Sequence, residues 1–190
     1  MYPVKPGDTV LVHAAAGGIG QFLVQWAKHL GATVIATVST DDKARVAKAR
    51  GADEVVVYSR DSFSDAVMRL TGGRGASVVY DAVGKDTFAD SLAALAVRGH
   101  LVSFGQASGP VGDWDIGRFA SKSVTVSRPN YGHFTDTPEK LTVHVGRFFS
   151  ALRAGVLSVD PPSRYRLADA ARAHRDLESR RTIGALVLTV

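Results

Sequence analysis

The chain contains no cysteine, few prolines and no long run of apolar residues. Without cysteine, its 190 residues cannot form a disulfide bridge or a zinc site with cysteine ligands. No stretch approaches the roughly 18 consecutive apolar residues that a membrane-spanning helix requires. The N-terminal residues MYPVKPGD carry no apolar signal-peptide core either. These absences predict a cytoplasmic protein that does not associate with a membrane.

The charge of the chain is too evenly mixed to indicate a nucleic-acid partner. The formal net charge is +5, from 23 lysines and arginines against 18 aspartates and glutamates. The densest basic stretch, Arg164–Arg181, is interleaved with Asp169, Asp176 and Glu178, which is typical of a solvated helix face. The sequence has no basic stripe with interleaved aromatic residues, so we expect no nucleic acid to bind.

A glycine-rich loop stands out near the N-terminus, in the segment VLVHAAAGGIG at Val10–Gly20. Ala15, Gly17 and Gly20 occupy the three positions of the G-x-G-x-x-G fingerprint, with alanine in the first place. Small residues there allow a tight turn, a close approach of backbone to a pyrophosphate, and packing of helix on strand. The spacing alone also fits an ordinary strand-to-helix turn.

The segments around this loop favour the dinucleotide-binding interpretation. Residues 19–30, IGQFLVQWAKHL, carry apolar side chains at helical spacing, and Gly31 supplies a C-terminal stop. The run Thr33–Ser39 then predicts a second strand. Strand, glycine loop, helix and strand within about thirty residues form the context that the fingerprint requires.

The rest of the chain up to residue 130 continues to alternate strands with helices. This order predicts an α/β fold, a doubly wound parallel six-stranded Rossmann sheet over residues 1–130. Ligands bind such sheets at the carboxyl ends of the strands. The further predicted strands are Glu54–Ser59, Ala76–Ala82, His100–Gly105 and Ser123–Arg128, and the further predicted helices are Asp42–Arg50, Ser62–Leu70, Thr87–Val97 and a short Ile116–Ala120.

Residues 131–190 do not continue this alternation. They predict a C-terminal extension with a long helix at Pro138–Ala154, a charged helix at Leu167–Arg180 and a final strand at Gly184–Val190. We interpret the extension as a segment that packs on something other than the sheet.

The end of the second predicted strand favours NADP(H) over NAD(H). An NAD site usually has an aspartate or glutamate there, about 20 residues past the loop, but this chain has Ser39 and Thr40, with Lys43 one helical turn later. Hydroxyls and an ammonium suit a 2′-phosphate. Two alternatives remain: Ser39 or Thr40 caps the next helix, or Asp41 or Asp42 turns towards the site and favours NAD.

Five stretches together resemble the zeta-crystallin-like quinone oxidoreductases of the medium-chain dehydrogenase/reductase superfamily. They are VKPGDTVLVHAAAGGIGQFLVQWAKHLGA, TDDKARVAKARGADEVVVY, VVYDAVGKDTF, GHLVSFGQASG and AHRDLESRRTIGALVL. The resemblance implies an NADPH-dependent enzyme that reduces quinones or related activated alkenes by hydride transfer, as a zinc-free homodimer. The alternative is a non-catalytic NADPH-binding or dimerisation module.

The resemblance also implies which residues hold the cofactor. Ala14, Gly17, Gly18, Ile19 and Gly20 would hold the pyrophosphate, and Ser39, Lys43 and Tyr58 would bind the 2′-phosphate side. Asp81, Ala82, Val83 and Gly84, with Phe104 and Gly105, would flank the nicotinamide and its ribose, and Arg180 would approach from the tail. Tyr58 and Phe104 could instead be packing residues, Asp81 a brace for its loop, and Arg180 plain surface charge. No catalytic residue is assigned.

Members of the resembled family begin with a β-rich domain that forms the other wall of the active-site cleft. This chain starts immediately before its first predicted strand, so we expect that domain to be absent. Residues 131–190 would pack on it, and Pro161–Val190 would then expose an apolar patch.

Two further expectations concern Ser123–Arg128 and His13. We expect Ser123–Arg128 to lie at the edge of the sheet and to pair with its twin in a homodimer, unless Lys122 and Arg128 keep that edge solvated. His13 lies on a buried strand, and we interpret it as a packed core residue rather than a ligand.

Overall fold

A six-stranded parallel sheet forms the centre of the chain, whose computed structural model describes residues 2–179 and 182–190. Its strands are β1 (Thr9–Val12), β2 (Thr33–Val38), β3 (Glu54–Val57), β4 (Ala76–Asp81), β5 (Leu95–Ser103) and β6 (Thr125–Ser127). They lie in the order β3-β2-β1-β4-β5-β6, with every neighbouring pair parallel. The order reverses between β1 and β4, which is where a doubly wound sheet opens a crevice for ligands. The predicted fold class is confirmed.

Seven helices and a second, two-stranded sheet complete the described part of the chain. Strands β7 (Ser163–Arg166) and β8 (Leu186–Thr189) pair in parallel. Single 3-10 turns occupy Ile116–Phe119 and Leu167–Asp169. The helices are α1 (Gly18–His29), α2 (Asp41–Ala49), α3 (Phe63–Leu70), α4 (Phe88–Ala94), α5 (Gly132–Thr135), α6 (Pro138–Arg153) and α7 (Ala170–Glu178).

Alternating side chains of the central strands build a separate core on each face of the sheet. Val10 and Val12 of β1 pack towards α1 and α2, whereas Leu11 between them packs towards α3 and α4. Both faces are covered by helices, so the strands are apolar on both sides, as parallel sheets require. Polar side chains are therefore confined mostly to the ends of the strands, where the candidate site lies.

The predicted helix over Thr87–Val97 is wrong at its C-terminal end. Helix α4 stops at Ala94, and Leu95 is already extended and pairs with Ala76. The register of β5 against β4 then shifts after Ala76, with Arg98 at a φ of 61°. Leu95 is fully buried, and in a buried apolar segment the side-chain pattern does not distinguish helix from strand.

The apolar side chains of α1 are divided between the sheet and α6. Val24 and Ala27 are the side chains buried against the strands. Phe22, by contrast, meets the ring of Phe148 edge-on, with 5.2 Å between the ring centroids. Ile19 remains 61% exposed. Small residues thus let α1 lie close to the sheet, and the larger ones hold α6.

The C-terminal extension is joined to α1 and to the glycine loop by hydrogen bonds. Ser158 donates its backbone N–H (2.7 Å) and its hydroxyl (2.9 Å) to Oε1 of Gln25 on α1. Further along, the Gly184 N–H donates to the carbonyl of Ala16, 3.1 Å away, in the glycine loop. Strand β7 was not expected, and the apolar side chains Val187 and Leu188 of β8 are exposed, as expected for Pro161–Val190. Within the described ranges, no helix is both long and apolar enough to span a membrane.

Gly20 and Gly146 provide a matched test of how closely α1 approaches β1. A Cβ at Gly20 would collide with the Ala14 carbonyl and lie 2.8 Å from the Ala15 Cα, whereas a Cβ at Gly146 of α6 meets nothing within 4 Å. We expect Gly20→Ala to lower the free energy of unfolding by about 1–3 kcal/mol through overpacking. Gly146→Ala should raise it by roughly 0.5–1 kcal/mol, since alanine favours the helix. Urea denaturation measures the free energy of unfolding of both variants. Equal changes in the two variants would contradict the close approach at Gly20.

Candidate functional site

A cleft opens at the carboxyl ends of β1, β2 and β4. It lies at the point where the strand order reverses. Its position is where parallel sheets of this kind bind ligands. The lining residues are Ala14, Ala16, Gly17, Val38, Ser39, Lys43, Tyr58, Val83, Ala107 and Thr182.

The glycine loop forms one wall of the cleft and leads directly into α1. Gly17 is extended at the N-cap of α1, and Ala14 adopts a φ of 50°, a left-handed conformation that alanine rarely takes. Among the described residues, no side chain caps α1 and its first turn carries no acid. No acidic side chain of this turn therefore compensates the positive end of the helix dipole, which suits an anion.

The end of β2 forms the second wall, and it both caps a helix and lines the cleft. Thr40 accepts a hydrogen bond from the Lys43 N–H at its side-chain oxygen and is the N-cap of α2. Ser39, the residue before it, lines the cleft together with the Lys43 side chain. The capping alternative therefore applies to Thr40 and leaves Ser39 available to a ligand.

The two aspartates that could have favoured NAD are engaged elsewhere. Asp41 accepts from Arg60 at 2.6 Å, and the neighbouring guanidinium lowers the pKa of the Asp41 carboxyl. Asp42 forms an ion pair with Arg45 on the same helix. Neither carboxylate lines the cleft.

The loop after β4 forms the third wall and is shaped by Asp81. The fully buried Asp81 carboxylate accepts from the backbone N–H groups of Val83 (2.7 Å) and Gly84 (3.1 Å). Its backbone carbonyl accepts from the Phe104 N–H at 2.8 Å. Asp81 therefore braces its own loop, as the alternative interpretation held, and Val83 reaches the cleft.

Several of the predicted site residues lie beside the cleft without lining it. Gly105 packs against Ala82, where a Cβ would lie 2.8 Å from the Ala82 Cα, and Phe104 packs partly buried against the core. Arg180 lies outside the described residues. The predicted residues that do not line the cleft are Gly18, Ile19, Gly20, Asp81, Ala82, Gly84, Phe104 and Gly105.

Four lining residues were not predicted: Ala16, Val38, Ala107 and Thr182. Ala16 precedes the predicted residue Gly17, and Val38 precedes the predicted residue Ser39. The sequence patterns around those two residues could therefore have included them. Ala107 is brought in by its N–H bond to the Ala82 carbonyl (3.2 Å), and Thr182 by the return of the tail to the glycine loop. No local pattern indicates these two, because their position depends on contacts between distant segments.

His13 is a buried core residue, as expected, and it is hydrogen-bonded at both ring nitrogens. Nδ1 lies 2.7 Å from the Thr37 hydroxyl and Nε2 lies 2.9 Å from the Ser91 hydroxyl. The ring also meets Phe63 edge-on. Burial lowers the pKa of His13 to about 4, against the opposing attraction of Asp81. Within residues 2–179 and 182–190, no three histidines and acids cluster as metal ligands.

Comparison with known proteins agrees with this geometry. A sequence model described as zinc-binding dehydrogenase matches residues 18–144. A quinone oxidoreductase of Pseudomonas aeruginosa is 47% identical over 98% of this chain and 58% of its own length. A 2-haloacrylate reductase of a Burkholderia species is 43% identical over 98% of this chain and 57% of its own length. The crystal structure of Escherichia coli quinone oxidoreductase complexed with NADPH is 43% identical and matches with a TM-score of 0.94, over 100% of this chain and 59% of that one.

The chain therefore belongs to the zinc-binding dehydrogenase family, within the medium-chain dehydrogenase/reductase superfamily. Within that family it corresponds to the C-terminal part of the quinone oxidoreductases that it matches. It spans less than two thirds of the length of these relatives.

The burial of His13 predicts a loss of stability in mild acid. The unfolded chain binds a proton at this histidine below about pH 6.5, whereas the folded chain does so only near pH 4. Unfolding thus takes up a proton between these values, and stability falls as the pH falls through that window. We expect the free energy of unfolding to drop by roughly 2 kcal/mol from this group between pH 7 and pH 5.

Urea denaturation at the two pH values measures the drop, with His13→Asn as the comparison. The variant is less stable at pH 7 but should lose correspondingly less on acidification, because the titrating group is gone. An equal pH-dependent loss in both proteins would show that His13 is not the group responsible.

Proposed function

We propose that the chain is the NADPH-binding part of an oxidoreductase that transfers hydride from NADPH to quinones or related activated alkenes. The observation that carries the proposal is a single cleft at the strand-order reversal that joins Gly17, Ser39, Lys43 and Val83. The relatives named above as quinone oxidoreductases, one of them complexed with NADPH, support it.

The glycine loop fits a pyrophosphate. Gly17 leaves only 3.1 Å between a hypothetical Cβ and the Ala14 carbonyl, so a side chain there would narrow the approach to the loop. The uncapped first turn of α1, which includes Gly18, Ile19 and Gly20, supplies backbone donors to an anion. We assign Ala14 and these residues to the pyrophosphate.

The end of β2 fits the 2′-phosphate that distinguishes NADPH from NADH. Ser39, Lys43 and Tyr58 line the cleft together, so two hydroxyls and an ammonium converge on one region. An ammonium and hydroxyls recognise a phosphate by charge-assisted hydrogen bonds. Asp41 and Asp42 are held by arginines, and none of the described residues that line the cleft carries a carboxylate that would oppose the phosphate.

The loops after β4 and β5 fit the nicotinamide side. We assign Ala82, Val83, Gly84, Phe104 and Gly105 to this end, mainly through their backbone, because Asp81 holds both loops together. A nicotinamide cofactor supplies hydride-transfer chemistry, and the protein orients it and excludes water. Arg180 remains a predicted contact from the tail.

An electron-poor alkene conjugated to a carbonyl is the proposed acceptor. Quinones and the haloacrylates named for the Burkholderia relative share this chemistry, since both have a C=C bond activated towards hydride. No catalytic side chain is proposed in this chain. The proposal therefore assigns binding and orientation to it.

Cofactor specificity can be tested with two lysines of the same helix. Lys43→Ala removes the ammonium from the cleft, whereas Lys48→Ala removes one that bonds the Asp53 carbonyl outside the cleft. We expect Lys43→Ala to weaken NADPH binding roughly tenfold and to leave NADH binding unchanged, because only NADPH carries the 2′-phosphate. Fluorescence titration with both cofactors measures this. Equal affinity of the wild-type chain for NADPH and NADH, unchanged by Lys43→Ala, would contradict the assignment.

Adding a small quinone to the NADPH-loaded chain separates the two candidate functions. Oxidation of NADPH that depends on the quinone indicates a reductase, with slow turnover expected because the relatives are longer than this chain. Tight NADPH binding without such oxidation favours the non-catalytic module. The absence of NADPH binding would overturn both.

We further propose that residues 131–190 form a segment that packs on the additional part of the longer relatives, separate from the Rossmann domain over residues 1–130. The exposed apolar side chains of β8 support this division, because Val187 and Leu188 lack cover among the described residues. Leu141 and Phe149 of α6 are exposed as well.

We also propose that the chain forms a homodimer through β6. This short strand pairs with β5 on one side and ends the sheet on the other. Lys122 donates to the carbonyls of Ala93 and Leu95, and Arg128 donates to those of Ser103 and Gly105. Both charges are thus tied to the chain itself, which leaves the edge open to a second copy.

The dimer can be tested with a matched pair of substitutions. Thr125→Asp adds a charge to the exposed edge of β6, and Thr142→Asp adds the same charge to the exposed face of α6. We expect the wild-type chain and Thr142→Asp to have the mass of a dimer at micromolar concentration, and Thr125→Asp to have the mass of a monomer, because like charges would meet across a twofold axis. Light scattering measures the mass, and a monomeric wild-type chain would reject the proposal.

A further inference from the structure

A continuous chain of buried polar side chains runs beneath the cleft and connects two of its walls. It consists of Thr37 on β2, His13 after β1, Ser91 on α4 and Asp81 at the end of β4, and we call it the His13 chain. Each member is at least 95% buried. Buried polar groups at this depth are costly unless each finds a partner, so their arrangement is strongly constrained.

The direction of each hydrogen bond follows from the acceptor at one end. A carboxylate cannot donate, so the Ser91 hydroxyl donates to Asp81 Oδ2, 3.3 Å away. Having used its only proton, Ser91 accepts from His13, which places the ring proton on Nε2. Nδ1 is then an acceptor, and the Thr37 hydroxyl donates a hydrogen bond to it. The low pKa of His13 agrees with this neutral form.

One end of the His13 chain holds backbone that lines the cleft, and the other end adjoins lining residues. At one end, Asp81 Oδ1 accepts from the N–H groups of Val83 and Gly84 and so sets the loop after β4. At the other, Thr37 lies two residues before Ser39, and its carbonyl accepts from the Ala15 N–H of the glycine loop at 3.2 Å.

We propose that His13, with its proton held on Nε2, is a positioning residue that fixes the Val83–Gly84 loop relative to the β2 end and thereby sets the affinity for the dinucleotide. The proposal rests on the proposed function for its ligand. The proposal depends on the direction in which the Ser91 hydroxyl donates its hydrogen bond. The Thr87 hydroxyl also donates to Asp81 Oδ2, at 2.8 Å. If Ser91 turned to donate to His13, Thr87 would be the remaining side-chain donor to Oδ2, and the Asp81 carboxylate would be freer to rotate.

Three threonine substitutions separate positioning from simple stability. Thr37→Val keeps the shape of the side chain and removes the hydroxyl, whereas Thr37→Ser keeps the hydroxyl and removes the methyl group. Thr71→Val is the control, because the Thr71 hydroxyl is equally buried and hydrogen-bonded but lies at the end of α3, outside the His13 chain.

Two measurements test the effect of these substitutions, and one of them is made without cofactor. Amide hydrogen exchange at Val83 and Gly84 in the free chain should rise about fivefold in Thr37→Val over Thr71→Val, as expected for the loss of one buried hydrogen bond. NADPH affinity should fall by a similar factor in Thr37→Val and stay within twofold of wild type in Thr71→Val. Thr37→Ser should restore both quantities, even where it lowers thermal stability.

The outcomes distinguish this inference from the proposed function. If the wild-type chain binds no NADPH but exchange at Val83 and Gly84 responds as described, the proposed function fails and the positioning of the loop stands. If NADPH binds and Thr37→Val matches Thr71→Val in both measurements, the His13 chain is merely structural. Nitrogen NMR of the His13 ring gives a direct check, since a proton on Nδ1 in the wild-type chain would also overturn the inference.

Discussion

The close approach of α1 to the loop after β1, at Gly20, is the constraint on which the site depends. With no side chain at that position, the first turn of the helix lies against the Ala14 and Ala15 backbone, and its uncompensated amide end opens beside the sheet. A larger residue would push α1 outward, and with it the Gly17 wall of the cleft. The same approach leaves the larger side chains of α1 on the opposite face, where Phe22 packs against α6.

Stability and recognition use different parts of each strand. The middles of β1, β2 and β4 are apolar on both faces and form two cores, while hydrogen-bonding side chains gather where these strands end. A rigid apolar sheet can hold a buried polar chain in one orientation because its buried polar groups need hydrogen-bond partners. Because His13 is buried, the stability of the fold depends on the protonation state of its ring.

Local patterns were sufficient for the sheet and the glycine loop, and insufficient for the rest of the site. The loop at Ala14–Gly20 and the strand ends at Ser39 and Val83 follow from small-residue spacing and apolar runs, which act over a few residues. The boundary between helix and strand at Leu95 could not be predicted from such patterns, because a buried apolar segment fits either helix or strand. Thr182 could not be predicted for a different reason: it reaches the cleft only through pairing of the tail with the glycine loop.

That pairing also determines the order in which the cleft can be assembled. The Gly184 N–H donates to the Ala16 carbonyl, so a wall next to the glycine loop is supplied by a segment far later in the sequence. During synthesis, all six strands of the central sheet leave the ribosome before Gly184 does. A nascent chain can therefore complete its sheet and its glycine loop before the segment that carries Thr182 closes this side of the cleft.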